Sequence, residues 1–131
     1  MPPDITFACN APIAPEALGE LLAQTDWAKT RSHEGLERML HQTSLHVSAW
    51  HKERLVGFAR ALTDGVYRAV IEDVIVTREL REQGLGRELM KHMLQELLAV
   101  EEIALGCLDN LVPFYESLGF TRVAHPYLKK R

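Results

Sequence analysis

The segment Thr77–Met90, TRELREQGLGRELM, constrains the fold more than any other part of the chain. It follows the β-prone run VYRAVIEDVIV and opens a stretch in which Leu85, Leu89, Met90, Met93, Leu94 and Leu97 recur at helical spacing. Arg87, Glu88, Lys91, Gln95 and Glu96 lie on the opposite face of that helix. A strand, a tight loop and an amphipathic helix in that order require a crossover, and the compact apolar run IALGCL supplies the strand that receives it. A strand reached through a helix lies parallel to the one before it. Gly84 and Gly86 stand where the helix begins, although glycine disfavours helix, so something approaches the backbone too closely to tolerate side chains.

Upstream, SLHVSAWH alternates, ERL marks a turn, and LVGFARAL is β-prone as far as Thr63-Asp64-Gly65, so the middle of the chain reads as three successive antiparallel strands. Ile5–Ala8 reads as a first strand. Helices follow at Pro15–Gln24 and from about Ser32 to His41, joined by the linker TDWAKTR. Downstream, NLVPFYESLGF reads as a short helix ended by Gly119, and FTRVAHPYL as a last strand. The expected fold is α/β (α+β): a mixed, mostly antiparallel sheet flanked by helices, in the order β-α-α-β-β-β-α-β-α-β, forming a single domain over residues 1–131.

Composition excludes several function classes. A chain of 131 residues with 47% hydrophobic content buries a core as one domain. A net charge of −3 with both signs interspersed speaks against a nucleic-acid partner, and the basic end LKKR reads as solvated. Cys9 and Cys107 lack C-x-x-C spacing and are expected to be small buried hydrophobes. The six histidines show no metal spacing, so no metal centre is expected. No basic segment followed by an apolar one begins the chain and no window is long enough to span a bilayer, so a cytoplasmic protein without a membrane partner is expected.

A glycine loop feeding a helix N-terminus is an anion site, because unpaired N–H groups and the helix dipole converge there, and Arg81 and Arg87 add positive charge. A Walker A loop needs Lys and Ser or Thr after its last glycine, whereas Arg87-Glu88 follows Gly86. A dinucleotide fingerprint would place its third glycine at Leu89, and no second βαβ half is available.

Arg81-x-x-Gly84-x-Gly86 resembles the R/Q-x-x-G-x-G/A acetyl-CoA signature of the GNAT superfamily of N-acetyltransferases. IEDVIV resembles the strand that precedes that signature, and PFYESLGF resembles the family's C-terminal F-Y-E-x-L-G-F. GFARALTDGVYRAVIEDVIV is similar to the compact acetyltransferases of cyanobacterial and chloroplast type. The resemblance implies that Val74, Ile75 and Val76 offer backbone groups to the pantetheine arm of acetyl-CoA, with a Val74–Ile75 amide available to the reacting carbonyl oxygen. It implies that the amides of Glu82, Gln83, Gly84, Leu85, Gly86 and Arg87 hold the pyrophosphate, and that Phe114 lines the coenzyme site. Tyr115 takes the family role of protonating the departing thiolate, with a packing role in the core as its alternative. The attacking amine must lose its proton, and Glu72 or Asp73 is the candidate base. Both are charged residues in an apolar strand, expected on opposite faces, and a salt bridge is the competing role for each.

One departure from the family concerns the asparagine about two turns before the tyrosine. Leu108 stands there, and Asn110, displaced towards Tyr115, is the remaining candidate to touch the coenzyme or cap the helix. Trp27 and Arg31, with His33 beside them, fall in the link that borders the acceptor cleft in the family. The expected activity is acetyl transfer from acetyl-CoA to a primary amine in a ternary complex. The acceptor stays open among a polyamine or arylalkylamine, an amino acid, an antibiotic, and a protein lysine or N-terminus; the mildly acidic chain is compatible with a cationic one. A non-catalytic acyl-CoA-binding or interaction module and a small nucleotide-binding regulator are the competing readings. A monomer or homodimer is expected, the last strand being free to pair across a two-fold axis.

Overall fold

Three successive β-prone segments form the middle of the sheet in the computed structural model, which describes all residues from Met1 to Arg131. β2 (Leu45–His51), β3 (Arg54–Thr63) and β4 (Arg68–Val76) run antiparallel, and β1 (Ile5–Cys9) pairs antiparallel with β2. β5 (Glu102–Leu105) pairs parallel with β4, giving the order β1-β2-β3-β4-β5. The β3–β4 hairpin turns at Asp64-Gly65, where Asp64 Oδ1 accepts from the amides of Val66 and Tyr67 at 2.8 Å and of Arg68 at 3.2 Å.

Helix α3 (Leu85–Glu96) covers one face, setting Leu85, Leu89, Met90 and Met93 against Val47, Ala49, Ala59, Ala61 and Ile71. A Cβ on Gly57 would lie 3.2 Å from the Ala49 Cβ and 3.5 Å from Leu89 Cδ2, so glycine there lets the helix sit close to the sheet. Helices α1 (Pro15–Leu22) and α2 (His33–Gln42) cover the other face, with Leu18, Leu21, Leu22 and Leu36 against Leu55, Phe58 and Ile75. Ser32 Oγ caps α2 by accepting from the Gly35 amide at 3.0 Å, a contact worth about 1 kcal/mol. No helix is long and apolar enough to cross a membrane.

The C-terminal third departs from expectation. β5 stops at Leu105 instead of running to Leu108, and α4 (Val112–Glu116) is a short helix preceded by a 3₁₀ turn at Asp109–Leu111. The last strand expected at Phe120–Leu128 does not form; residues 120–131 carry no regular structure. Alternation makes a strand only where a neighbour completes its hydrogen bonds, and nothing pairs with this segment or with the outer edge of β5. Cys9 and Cys107 are exposed, not buried, because one ends an edge strand and the other follows the end of β5.

Candidate active site

β3 and β4 fall out of step in the middle of β4. Arg60 pairs with Glu72 and Phe58 pairs with Ile75, so Asp73 and Val74 together face the single residue Ala59. Asp73 has φ 54°, a left-handed conformation that aspartate tolerates better than most residues. This bulge overturns the expectation that Glu72 and Asp73 serve opposite faces: Glu72 is in register with Arg60, and Asp73 bonds to that same Arg60.

Their surroundings then diverge. Glu72 is exposed, in register with Arg60 but not ion-paired to it. Asp73 is buried and accepts from Arg31 Nη1 at 2.7 Å, Arg31 Nη2 at 3.1 Å and Arg60 Nε at 2.6 Å. Burial pushes the Asp73 carboxyl up, but the hydrogen bonds and charges of Arg31 and Arg60 outweigh it and hold the group below the usual carboxylate range. A carboxylate so engaged is a weak base whose lone pairs are already committed. Arg31, expected at the acceptor cleft, is thus anchored to the sheet, while Trp27 on the same link is 62% exposed.

The sheet splits just beyond this point. β5 ends at Leu105, level with Ile71, whereas β4 continues to Val76 with β3 on one side and no strand on the other. Val74 and Val76 are half-buried there, and Ile75 is buried against the α1/α2 cluster. The Val76 carbonyl accepts from Arg81 Nε at 3.1 Å, which ties the loop that follows to the open edge.

That loop is held from two directions. Gln24 Nε2 donates to Thr77 Oγ1 at 3.1 Å and the Arg78 amide donates to Gln24 Oε1 at 2.8 Å. Glu79 accepts from Thr77 Oγ1 at 2.6 Å and from Arg54 Nη2 at 2.7 Å, contacts that push its carboxyl down to about 2. Gln83 Nε2 closes the turn onto the Glu79 carbonyl at 3.1 Å. Glu82 (φ 62°) and Gly84 (φ 88°) are both left-handed, a backbone that gathers successive N–H groups into an anion-binding concavity. The amides from Glu82 to Arg87 donate to no protein group, and the first to do so is Glu88, to the Gly84 carbonyl at 3.1 Å.

The helix carrying PFYESLGF closes on this loop. A Cβ on Gly86 would lie 3.6 Å from Val76 Cγ2 and 3.8 Å from Phe114 Cζ, and Arg87 Nη1 donates to Ser117 Oγ at 2.8 Å. Two motifs separated by about a fifth of the chain are therefore in contact. Tyr115 is 8% exposed, lies edge-on to Phe114 and Phe120 at 5.0 and 5.9 Å, and its hydroxyl bonds to no protein group. Burial, with the nearby Cys107 adding to it, pushes the phenol up to about 12, so it stays protonated at neutral pH. Asn110 is exposed in the 3₁₀ turn and does not cap α4, whose N-cap position is Leu111 with no side-chain bond.

A concavity of about 860 Å³ follows the free edge of β5 and reaches only Tyr115 among the candidate site residues. Size is no guide here, because a loop that binds through its own amides needs no deep cavity. Sequence reading missed Arg60, Gln24, Thr77 and Ser117. Arg60 left a trace as the one charge in LVGFARAL, facing a strand that carries Asp73; Gln24 and Thr77, 53 positions apart, left none.

The acetyltransferase (GNAT) domain family matches residues 11–131. The protein named uncharacterized N-acetyltransferase ycf52-like, of Prochlorococcus marinus, is 33% identical over 110 residues, covering 79% of this chain and 61% of that protein. Serotonin N-acetyltransferase 2, chloroplastic, of Oryza sativa subsp. japonica is 35% identical over 113 residues, covering 79% of this chain and 54% of that protein. The chain thus spans less than two thirds of the length of these two curated relatives. The crystal structure of an acetyltransferase-type protein from Deinococcus radiodurans R1 superposes with a TM-score of 0.85 at 34% identity, covering 98% of this chain and 90% of that one. The sheet that splits beyond Ile71, the loop of free amides and the tyrosine helix against it lie inside one family match spanning nearly the whole sequence, and the chain belongs to the GNAT family of acetyltransferases.

Proposed function

We propose that this chain transfers the acetyl group of acetyl-CoA to a primary amine, with both substrates held together where the sheet splits. The observation that carries this reading is the meeting of the two motifs, Gly86 against Phe114 and Arg87 against Ser117, around a set of unused amides. In this reading the amides of residues 82–87 hold the coenzyme pyrophosphate, with Arg81 and Arg87 at its rim. The open edge of Val74–Val76 takes the pantetheine arm as it would an added strand, with Phe114 and Asn110 alongside.

Bound acetyl-CoA supplies a thioester carbonyl carbon that a neutral amine attacks, the C–S bond breaking as the C–N bond forms. Glu72, exposed and without an ion-pair partner, takes the proton lost by the amine, directly or through water. Tyr115, protonated and without a hydrogen-bond partner, gives a proton to the leaving thiolate. A Val74–Ile75 amide faces the carbonyl oxygen. Asp73 acts as a positioning residue: it fixes Arg31 and Arg60 and carries the bulge that brings its own carboxylate to the face that Glu72 occupies. Trp27 stands at the rim of that face.

Calorimetric titration with acetyl-CoA, coenzyme A, NAD and ATP, followed by thiol release with a panel of amines, tests the reading. At a hundredfold its Kd, acetyl-CoA should also stabilise the fold by about 2.7 kcal/mol. Tighter binding of NAD or ATP would make the loop a nucleotide site. Binding of acetyl-CoA without thiol release for any amine would make the chain an acyl-CoA-binding module.

A further inference from the structure

The acceptor face carries a guanidinium edge that no group of the chain bonds. Two guanidiniums, Arg31 and Arg60, converge on the single carboxylate of Asp73. Asp73 Oδ1 takes Arg31 Nη2, and Oδ2 takes both Arg31 Nη1 and Arg60 Nε; with its side chain only 3% exposed, it is closed to further partners. Arg60 uses Nε alone. Its side chain is 15% exposed, and Nη1 and Nη2 have no partner in the protein. One short bond at Nε therefore fixes a guanidinium whose outer edge is left for a ligand.

A free carboxylate lies beside that edge. Glu72 is in register with Arg60 on the same face, yet the two make no ion pair. One pair further along the same strands, Leu62 is in register with Val70, and they are 46% and 39% exposed. Residues two apart on a strand share a face, so the guanidinium edge and the carboxylate, just past the last β4–β5 pair, adjoin an apolar patch on the hairpin side of them.

We propose that the acceptor is a zwitterion, an α-amino acid with an apolar side chain, whose carboxylate pairs with the outer edge of Arg60 while its amine meets Glu72 and its side chain lies on Leu62 and Val70. This rests on the acetyltransferase reading given above. An amine without a carboxylate leaves the Arg60 edge unanswered and adds positive charge beside it. A planar carboxylate matches the paired Nη donors of a guanidinium, and such charge-assisted contacts are among the stronger ones available to a small ligand.

The test compares matched acceptors by thiol release at saturating acetyl-CoA: tryptophan with tryptamine, tyrosine with tyramine, leucine with isoamylamine. The expected result is a kcat/KM at least about tenfold higher for the amino acid of each pair, most of it in KM. Arg60→Met should shrink that ratio towards unity and Arg60→Lys should keep part of it; because the ratio is taken within one protein, partial loss of fold does not imitate the effect. Equal or faster turnover of the decarboxylated amines by the wild-type protein overturns the proposal and leaves the acetyltransferase reading intact. Acetyl-CoA binding with no amino acid acetylated overturns it as well, whereas absence of acetyl-CoA binding overturns both.

Discussion

Gly84 and Gly86 are predicted to be glycine for different reasons, and alanine at each should move stability in opposite directions. At Gly84 no heavy atom lies within 4 Å of an added Cβ, so crowding does not matter, but φ is 88°. An L-residue in that region costs about 1–2 kcal/mol. At Gly86 the backbone is helical, and an added Cβ would sit 3.6 Å from Val76 Cγ2 and 3.8 Å from Phe114 Cζ, which is ordinary contact. Alanine there removes the entropic cost of a glycine in a helix and should stabilise the free protein by about 0.5 kcal/mol. With 1 kcal/mol corresponding to about 3–5 °C in a chain of this size, Gly84→Ala should lower Tm by about 3–10 °C and Gly86→Ala should raise it by about 2 °C. Thermal unfolding followed by circular dichroism without ligand reads both. Gly86→Glu completes the argument: a carboxylate in the first turn of α3 suits the helix dipole, so the free protein should remain folded, but the added charge occupies the place of the pyrophosphate and acetyl-CoA should no longer raise Tm. Should Gly84→Ala be neutral, or Gly86→Ala cost as much as Gly84→Ala, this division between backbone and ligand is wrong.

Tyr115→Phe should lower kcat by about a hundredfold or more while the calorimetric Kd for acetyl-CoA stays the same, because the ring packs as before and only the proton is lost. A difference titration against that variant should place the Tyr115 ionisation near pH 12. Asp73→Asn should cost about 2 kcal/mol at neutral pH in urea denaturation, the usual penalty for breaking a buried pair being reduced because Arg31 is 32% exposed. Asp73 is depressed in the folded state, so its ionised contribution is complete above an unfolded value of about 3.9 and is lost as pH falls through the folded value. The two denaturation midpoints should therefore converge in acid, and a gap that stays constant to the lowest pH at which both fold would refute the assignment. Gln24→Ala removes both bonds to the Thr77-Arg78 strand exit and should raise the Kd for acetyl-CoA several-fold while leaving acceptor KM alone.

Local patterns were legible. The 3.6-residue stripe from Leu85 to Leu97 predicts α3 to within a residue at its N-terminus, and alternation with Asp64-Gly65 predicts the β3–β4 hairpin. The glycine loop was legible because glycine before a helix is costly enough to need a reason. What escaped was whatever depends on partners far apart in sequence. FTRVAHPYL alternates like a strand, but its state is decided by a neighbour the pattern does not encode. Cys9 and Cys107 are apolar by type and exposed by position. Gln24 and Ser117 look like ordinary helix-terminal polar residues until the fold brings them to Thr77 and Arg87.

The bulge in β4 was also hidden, yet the chemistry of IEDVIV demands it. Strict alternation from Ile71, which faces α3, would put Asp73 and Ile75 on that same side, driving a carboxylate under an apolar helix with no guanidinium in reach. An unpaired charge so placed costs several kcal/mol, far more than one irregular φ. Inserting one residue opposite Ala59 reverses the phase: Asp73 reaches Arg31 and Arg60, Ile75 joins Leu55 and Phe58 under α1, and Val74 and Val76 turn to the α3 side. Glu72, one residue ahead of the insertion, keeps its place exposed beside Arg60, at the point where β5 has already ended. Burying Asp73 against its two arginines is therefore what fixes the candidate base, the guanidinium edge and the open strand edge relative to one another, and a site for two substrates follows from where one acidic residue can afford to be.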